Sequence, residues 1–329
     1  MNKYYIFLAF LLLGLSSCEK EEVIPTNTLT TQVDGSGSIN QSDEDPMPGD
    51  TVLLTAIADE GYIFDGWTGD ITSDENPLEV ILKENLNITA NFREITDADM
   101  IQLADNGVTL YCLPQAEIGK KYPYNGEMYE IVDSARLYTM AAYNEDVTHV
   151  ITTFITDMNS LFDTKFINQD ISTWDVSNVV DMQHMFFYAE FFNSDISNWD
   201  VSNVTNMESM FHHAESFNQD ISKWDVSKVT NMQTMFGRAW SFNQDISEWD
   251  VSNVTDMSFM FGNAQKFNQD ISGWDVSNVT DMSFMFSSAI TFNQNLSSWN
   301  VSNVIWCLAF ANGAYSWSKP KPYLRCAQQ

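Results

Sequence analysis

Basic residues are scarce in this sequence. Fifteen Lys and Arg stand against 45 Asp and Glu, a formal net charge of −30. Such a field repels nucleic acid and anionic lipid surfaces, which argues against both as partners and leaves room for cationic partners or bound cations. Histidine is also scarce, with four copies, His149, His184, His212 and His213. His184 and His213 fall on neighbouring repeats, where they could approach each other, but a zinc site needs further ligands and supporting hydrogen bonds. No G-x-S-x-G, H-E-x-x-H or P-loop spacing occurs. A retaining glycosidase needs two carboxylates about 5 Å apart in a cleft. Repeated aspartates supply the distance but neither cleft nor unique pair. The expectation is a protein that is not an enzyme and needs no cofactor. Four cysteines, Cys18, Cys112, Cys307 and Cys326, are too few for a disulfide scaffold and are read singly.

Long apolar runs are lacking too. Tyr4 to Leu15 is too short to span a membrane comfortably; with Lys3 before it and small residues after, 1–17 reads as a secretory signal. Leu15-Ser16-Ser17-Cys18 resembles the lipobox of bacterial lipoproteins. That resemblance implies that Cys18 becomes the mature N-terminus and carries lipid, palmitate included. Glu19-Lys20-Glu21-Glu22 resembles the acidic tract that directs Bacteroidetes lipoproteins to the outer leaflet. Residues 18–28 otherwise read as a disordered tether. Residues 29–94 alternate β-branched and aromatic stretches with Gly, Asp and Pro clusters, the pattern of a β-rich domain. From Pro48-Gly49-Asp50, through Gly61-Tyr62-Ile63-Phe64-Asp65-Gly66-Trp67, to Ile88-Thr89-Ala90-Asn91-Phe92, this domain resembles the divergent internalin-B-type repeat of bacterial surface proteins. Tyr62, Phe64 and Trp67 are either its core or a carbohydrate-stacking patch. Residues 95–165 read as an N-terminal cap with one degenerate repeat. Asp133 or Ser134 opens a short helix there, and Cys112 is a small buried residue.

What is abundant is repetition. Trp174, Trp199, Trp224, Trp249, Trp274 and Trp299 follow one another at 25 residues, inside units such as FNQDISEWDVSNVTDMSFMFGNAQK from Phe242. A fixed period of this size predicts a solenoid. Ile246-x-x-Trp249-x-Val251-x-x-Val254 resembles the strand segment of leucine-rich repeats. Met257, Met260, Phe261 and Ala264 lie at helical spacing, with Thr255 as N-cap. The expected fold class is therefore an α/β repeat, a leucine-rich-repeat-like solenoid of short strands and short helices over 166–304, preceded by the small β-rich domain. Its Trp, Val, Met and Phe would form the core. Residues 305–329 would close it, with Cys307 and Cys326 a possible disulfide.

The unit FNQDIS-x-W-DVSNVT-D/N-M-x-x-MF closely resembles the BspA-like leucine-rich-repeat surface proteins. This family implies an adhesive cell-surface role and no catalytic residues. Family members often place a second Cys near position 151, where this chain has Ile151.

The period also generates polar columns. Asp175, Asp200, Asp225, Asp250 and Asp275, each following a Trp, are the candidate binding face, together with the variable positions before each Trp (Thr173, Asn198, Lys223, Glu248, Gly273, Ser298). Plain solvation, a recognition surface and Ca²⁺ association all stay open for this column. A second column, Asp170, Asp195, Asp220, Asp245 and Asp270, is expected to cap turns. The resulting expectation is a lipid-anchored, surface-exposed outer-membrane protein. It would act in adhesion or protein–protein recognition through the repeat face, towards host matrix or a neighbouring cell surface. A glycan-binding module or a purely structural envelope element are the alternatives.

Overall fold

Side-chain alternation decides the first part of the chain. The computed structural model describes residues 27–328, so the signal segment and Cys18 lie outside the described residues. Two compact units divide between Ile95 and Thr96. The first holds β1 (Leu29–Asp34), β2 (Gly37–Gln41), β3 (Thr51–Ala58), β4 (Tyr62–Gly69), β5 (Leu78–Ile81) and β6 (Leu86–Glu94). They form two three-stranded sheets, ordered β1-β6-β4 and β2-β3-β5. Val52, Leu54 and Ala56 on β3, and Leu86, Ile88, Ala90 and Phe92 on β6, turn inward at every second residue into one core. Trp67 is fully buried, and its indole N–H donates to the Glu75 carbonyl at 2.9 Å. Phe64 packs edge-on against Trp67 and Phe92 at 5.3 and 5.9 Å. Of the two readings of these aromatics, the core is what forms. Gly35 is obligatory here: its φ is +92° and a Cβ would meet the Phe92 carbonyl oxygen at 2.0 Å.

The second unit begins with the hairpin β7 (Ile101–Leu103) and β8 (Leu110–Cys112). A sheet ordered β11-β10-β9 follows, from β9 (Lys121–Tyr124), β10 (Glu127–Ile131) and β11 (Val150–Ile151). Helix α1 (Ser134–Tyr143) starts at Asp133, whose carboxylate accepts the Arg136 N–H, and stops at Asn144 in the left-handed region. Leu137, Met140 and Ala141 of α1 join the core of the repeats, so this helix covers their first unit. Cys112 is buried and free. Burial pushes its thiol above the ordinary range, which makes it a poor nucleophile.

The repeats overturn the expected fold class. Between β11 and a last short 3-10 turn at Arg325–Gln328 there is neither a helix nor a strand, so no α/β leucine-rich-repeat-like solenoid forms. Each unit is a chain of turns joined to the next by single parallel bridges, such as Asn231↔Asp256 and Asp256↔Asp281. The predicted helix fails for a reason visible in its hydrogen bonds. The N–H groups of Met257, Phe259, Phe261 and Asn263 donate to Asp281, Ser283, Met285 and Ser287 of the following unit at 2.7–3.0 Å. Those of Met260, Gly262 and Ala264 close three-residue turns at 3.0–3.2 Å. Half of the donors a helix would use inside itself therefore point to the next unit. An isolated helix of that length is marginal in any case. The apolar spacing of three and four survives, because consecutive turns also place those residues on one side. Thr255 caps no helix; its hydroxyl donates to the Thr230 carbonyl at 3.2 Å.

Packing supplies the rest. Met232, Met235, Phe236, Ala239 and Phe242 are fully buried, as are their counterparts in the neighbouring units. Phe211, Phe236 and Phe261 stack at 5.7 and 5.8 Å. From Trp199 to Trp299 each indole N–H of the period reaches the carbonyl of the residue 28 positions earlier: Trp224 to Ile196 at 3.1 Å, Trp249 to Ile221 at 3.1 Å and Trp274 to Ile246 at 3.0 Å, while Trp174 reaches Val147, 27 earlier. Asn218, Asn243 and Asn268 each donate a backbone N–H to the amide oxygen of the equivalent Asn one unit before. At the far end Trp317 replaces the repeated pattern and packs edge-on to Phe286 and Phe292. A disulfide between Cys307 and Cys326 ties the closing segment down.

Two residues per unit adopt positive φ, and they are not glycines: Ser209 and His213, Thr234 and Arg238, Phe259 and Asn263. Thr234, β-branched at φ +59°, is the costliest type for that region. Thr234→Gly should raise stability by roughly 0.5–1 kcal/mol, the left-handed penalty less the glycine entropy. A urea midpoint that falls instead would show that its side-chain contacts outweigh the backbone.

Candidate recognition face

The inner repeats carry three polar caps each. Asp225 and Asp250 of the first column accept the Ser227 and Ser252 N–H at 3.0 Å. Asp220 and Asp245 of the second column do the same for Ser222 and Ser247 at 2.9 and 3.0 Å. Asp256 and Asp281 form a third series, accepting Ser258 and Ser283 N–H at 2.8 and 2.7 Å. The D-x-S spelling explains this, since a carboxylate mimics a turn carbonyl two residues upstream of an N–H. The first column, expected to stand free on an open face, therefore also caps turns. Hydrogen bonds from the Ser hydroxyl and then the Ser N–H hold the Asp220, Asp225, Asp270 and Asp275 carboxyls below their ordinary value.

One carboxylate oxygen still projects from each turn. Asp200, Asp225, Asp250 and Asp275 are exposed, as are Lys223, Glu248, Gly273 and Ser298 before the Trp residues. Asn178, Asn203, Asn253 and Asn278 line the same region, each amide donating to a carbonyl of the preceding unit at 2.7–2.9 Å. Shallow polar recesses open between units, one of about 310 Å³ lined by Asp245, Ser247, Glu248, Gln269 and Asp270 among others. Among the described residues no group of three or more His, Cys, Asp or Glu is placed to hold a metal ion.

Asp175 differs from its column. It is only 6% exposed, because the β7–β8 hairpin tip lies over it. Asn106 accepts the Val108 and Thr109 N–H at 3.0 and 2.9 Å and shapes that tip, with Gly107 at φ +71°. The hairpin is fastened to the repeats through Leu110 N–H to Thr173 at 2.8 Å, and through the Asn106 amide to Asn198 at 3.2 Å. Between tip and repeats lies a cavity of about 580 Å³ whose lining includes Asp105, Tyr111, Thr153, Asp175, Asn178 and Asp200. Sequence reasoning missed this place. Asn106-Gly107 signals a tight turn, but nothing local says which repeat the turn will cover.

A second cluster sits where the repeats vary most. His212 stacks on Phe187 at 5.2 Å, and His213 stacks on Tyr188 at 4.1 Å. His213 Nε2 meets Arg238 Nη1 at 3.1 Å. His184 packs on Phe187 at 4.9 Å. Nδ1 of His212 is buried without a partner among the described residues. Burial, then the positive charges of His213, Arg238 and His184, push the His212 pKa down to about 4. The unfolded chain then binds the extra proton, so stability is full above pH ~6.5 and falls between ~6.5 and ~4. His213, also lowered by burial and then by Arg238, adds to the same slope. Melting temperatures across that window should decline, and His212→Phe should flatten the decline. An unchanged slope in the variant would assign the effect elsewhere.

No helix among the described residues is long and apolar enough to cross a membrane. Residues 27–96 match the divergent InlB B-repeat domain. Residues 127–247 and 219–320 match the family described as Mycoplasma protein of unknown function, DUF285. No curated protein and no solved structure matches the chain. Both matches are to repeat-domain families, which suggest a surface role in adhesion or protein–protein contact and point to no specific function. With more than half of its length inside the second match, the chain belongs to the DUF285 family and carries a divergent InlB B-repeat domain before it.

Proposed function

We propose that the protein is a surface lipoprotein of the BspA-like kind, held at the outer membrane through lipid on Cys18. Its repeats act in adhesion to a protein partner with a basic surface. The observation that supports this most is the exposed carboxylate column Asp200, Asp225, Asp250 and Asp275, repeated once per unit, with no salt bridge to any of the four among the described residues, although the Lys228 charge acts on Asp225. Opposite charge over such a face raises association rates and sets register more than it adds raw affinity. Multipoint contact then makes weak sites cumulative. The reading involves no catalysis and no cofactor, because the exposed carboxylates already serve their own turns and recur alike from unit to unit.

The test uses the full chain and surfaces coated with histone, a basic protein, or with serum albumin, an acidic one. Binding to histone that weakens as salt rises is the expected result. Equal capture on both surfaces, or salt-independent capture, would overturn the electrostatic reading. Capture on a glycan array with neither protein surface binding would favour the glycan reading. Labelling of the protein on intact cells should disappear with Cys18→Ala, and labelling that persists would remove the anchor assignment.

A further inference from the structure

Asp175 is a carboxylate kept where it is most expensive. The rest of its column faces water, but the hairpin tip buries Asp175 to 6% exposure. Its Oδ1 takes the Ser177 N–H and hydroxyl at 3.1 and 2.6 Å. No basic group among the described residues pairs with it. A buried charge without a counterion is costly. The turn does not require that charge. At the other end of the column Asn300 holds the same turn through its amide oxygen, accepting the Ser302 N–H at 3.3 Å. An Asn at 175 would cap the turn with no desolvated charge, so the turn alone does not account for the carboxylate.

Its surroundings suggest what does. The cavity of about 580 Å³ beside it is also lined by Asp105, Asp200, Thr109, Thr153 and Tyr111. The three carboxylates are not gathered closely enough to hold a metal ion, so the cation that suits them is an extended organic one. A guanidinium group donates a charge-assisted hydrogen bond to the remaining carboxylate oxygen and lies flat against an aromatic ring. We infer that this cavity is a binding pocket for a basic side chain, arginine above all, of a partner polypeptide. Asp175 is its charge partner, Tyr111 its flat wall, and Asp105 and Asp200 its electrostatic rim. The inference rests on the adhesion reading only for the source of the side chain; the pocket chemistry stands separately.

The experiment uses the full chain and two capped peptides, acetyl-Gly-Arg-Gly-amide and its citrulline counterpart, which has the same shape without charge. The arginine peptide should bind, and the citrulline peptide at least about ten-fold more weakly. Asp175→Asn should cost a similar factor, while Asp43→Asn, an equal loss of charge in the first unit, should leave binding within about two-fold. Asp175→Asn should also raise the melting temperature of the unliganded chain, since it removes an unpaired buried charge. Equal binding of the two peptides, or equal effects of the two substitutions, would overturn the pocket. So would a lower melting temperature for Asp175→Asn. Tyr111→Leu gives an independent arm, and unaltered arginine binding in it would remove the proposed wall. Spermidine binding in an Asp175-dependent way while the arginine peptide does not bind would overturn the polypeptide source. Asp175→Asn should still be captured on histone through the exposed columns, so failure of the pocket and failure of the adhesion reading give different results.

Discussion

Replacing Trp224 by Ala should destabilise the repeats by about 3–5 kcal/mol, the range for emptying a large buried aromatic site. Trp224 is 4% exposed and lies parallel to Trp199 at 6.5 Å, with Phe211 at 6.3 Å. Two losses combine. A cavity opens between units that are themselves close-packed, and the Ile196 carbonyl loses the indole N–H it accepts at 3.1 Å. Trp224→Phe separates them in large part, because it keeps a six-membered ring in the site while removing the donor with the rest of the indole. It should cost about 1–3 kcal/mol, the penalty for a buried polar group left unpaired. Calorimetric melting of the three proteins checks the order. A change below about 1 kcal/mol for Trp224→Ala would mean that the neighbouring rings close over the gap.

Breaking the Cys307–Cys326 bridge should cost about 3 kcal/mol, concentrated at one end of the chain. The two cysteines are 19 residues apart in sequence, and closing a loop of that size restricts the unfolded chain by about that amount. The bridge crosses to the last unit from a segment that contributes Trp317 and Leu324 to the core. Arg325 is the tryptic site within that segment, because Lys319 and Lys321 precede Pro320 and Pro322 and are not cut. With reductant, or with Cys326→Ser, trypsin should begin to cut there while the inner repeats stay protected. Simultaneous loss of protection throughout would show that the end and the middle unfold as one.

The sequence made the buried columns legible. Trp, Met, Phe and Val recur at 25 residues, and the structure buries them as that recurrence predicts. The backbone was not legible, because Met257, Met260, Phe261 and Ala264 satisfy a helical pattern and a run of turns equally well. Glycine at the positive-φ positions would have revealed the difference, yet Phe259, Asn263, Thr234 and Arg238 stand there instead. The polar columns were legible in part. The turn-capping role of the Asp220 column was legible, whereas Asp225, directly after an inward Trp, caps a turn as well and is set on the open face by the same spacing. The covering of Asp175 depended on a hairpin more than sixty residues away, a long-range contact that neither period nor propensity encodes.

The bond that the indoles from Trp199 to Trp299 make to a carbonyl 28 residues earlier has a genetic consequence. It refers only to a relative position, never to a particular place in the chain. Duplicating or deleting one complete block of 25 residues leaves every surviving indole with a carbonyl at the same offset and every ladder amide with its neighbour. Unequal recombination in register can therefore lengthen or shorten the array and preserve its packing, while an insertion of any other length misaligns the unit that holds it. Stability in such an array is close to a sum over units and their junctions. The length of the array, and the number of exposed carboxylates along it, can thus change by whole steps in a single event.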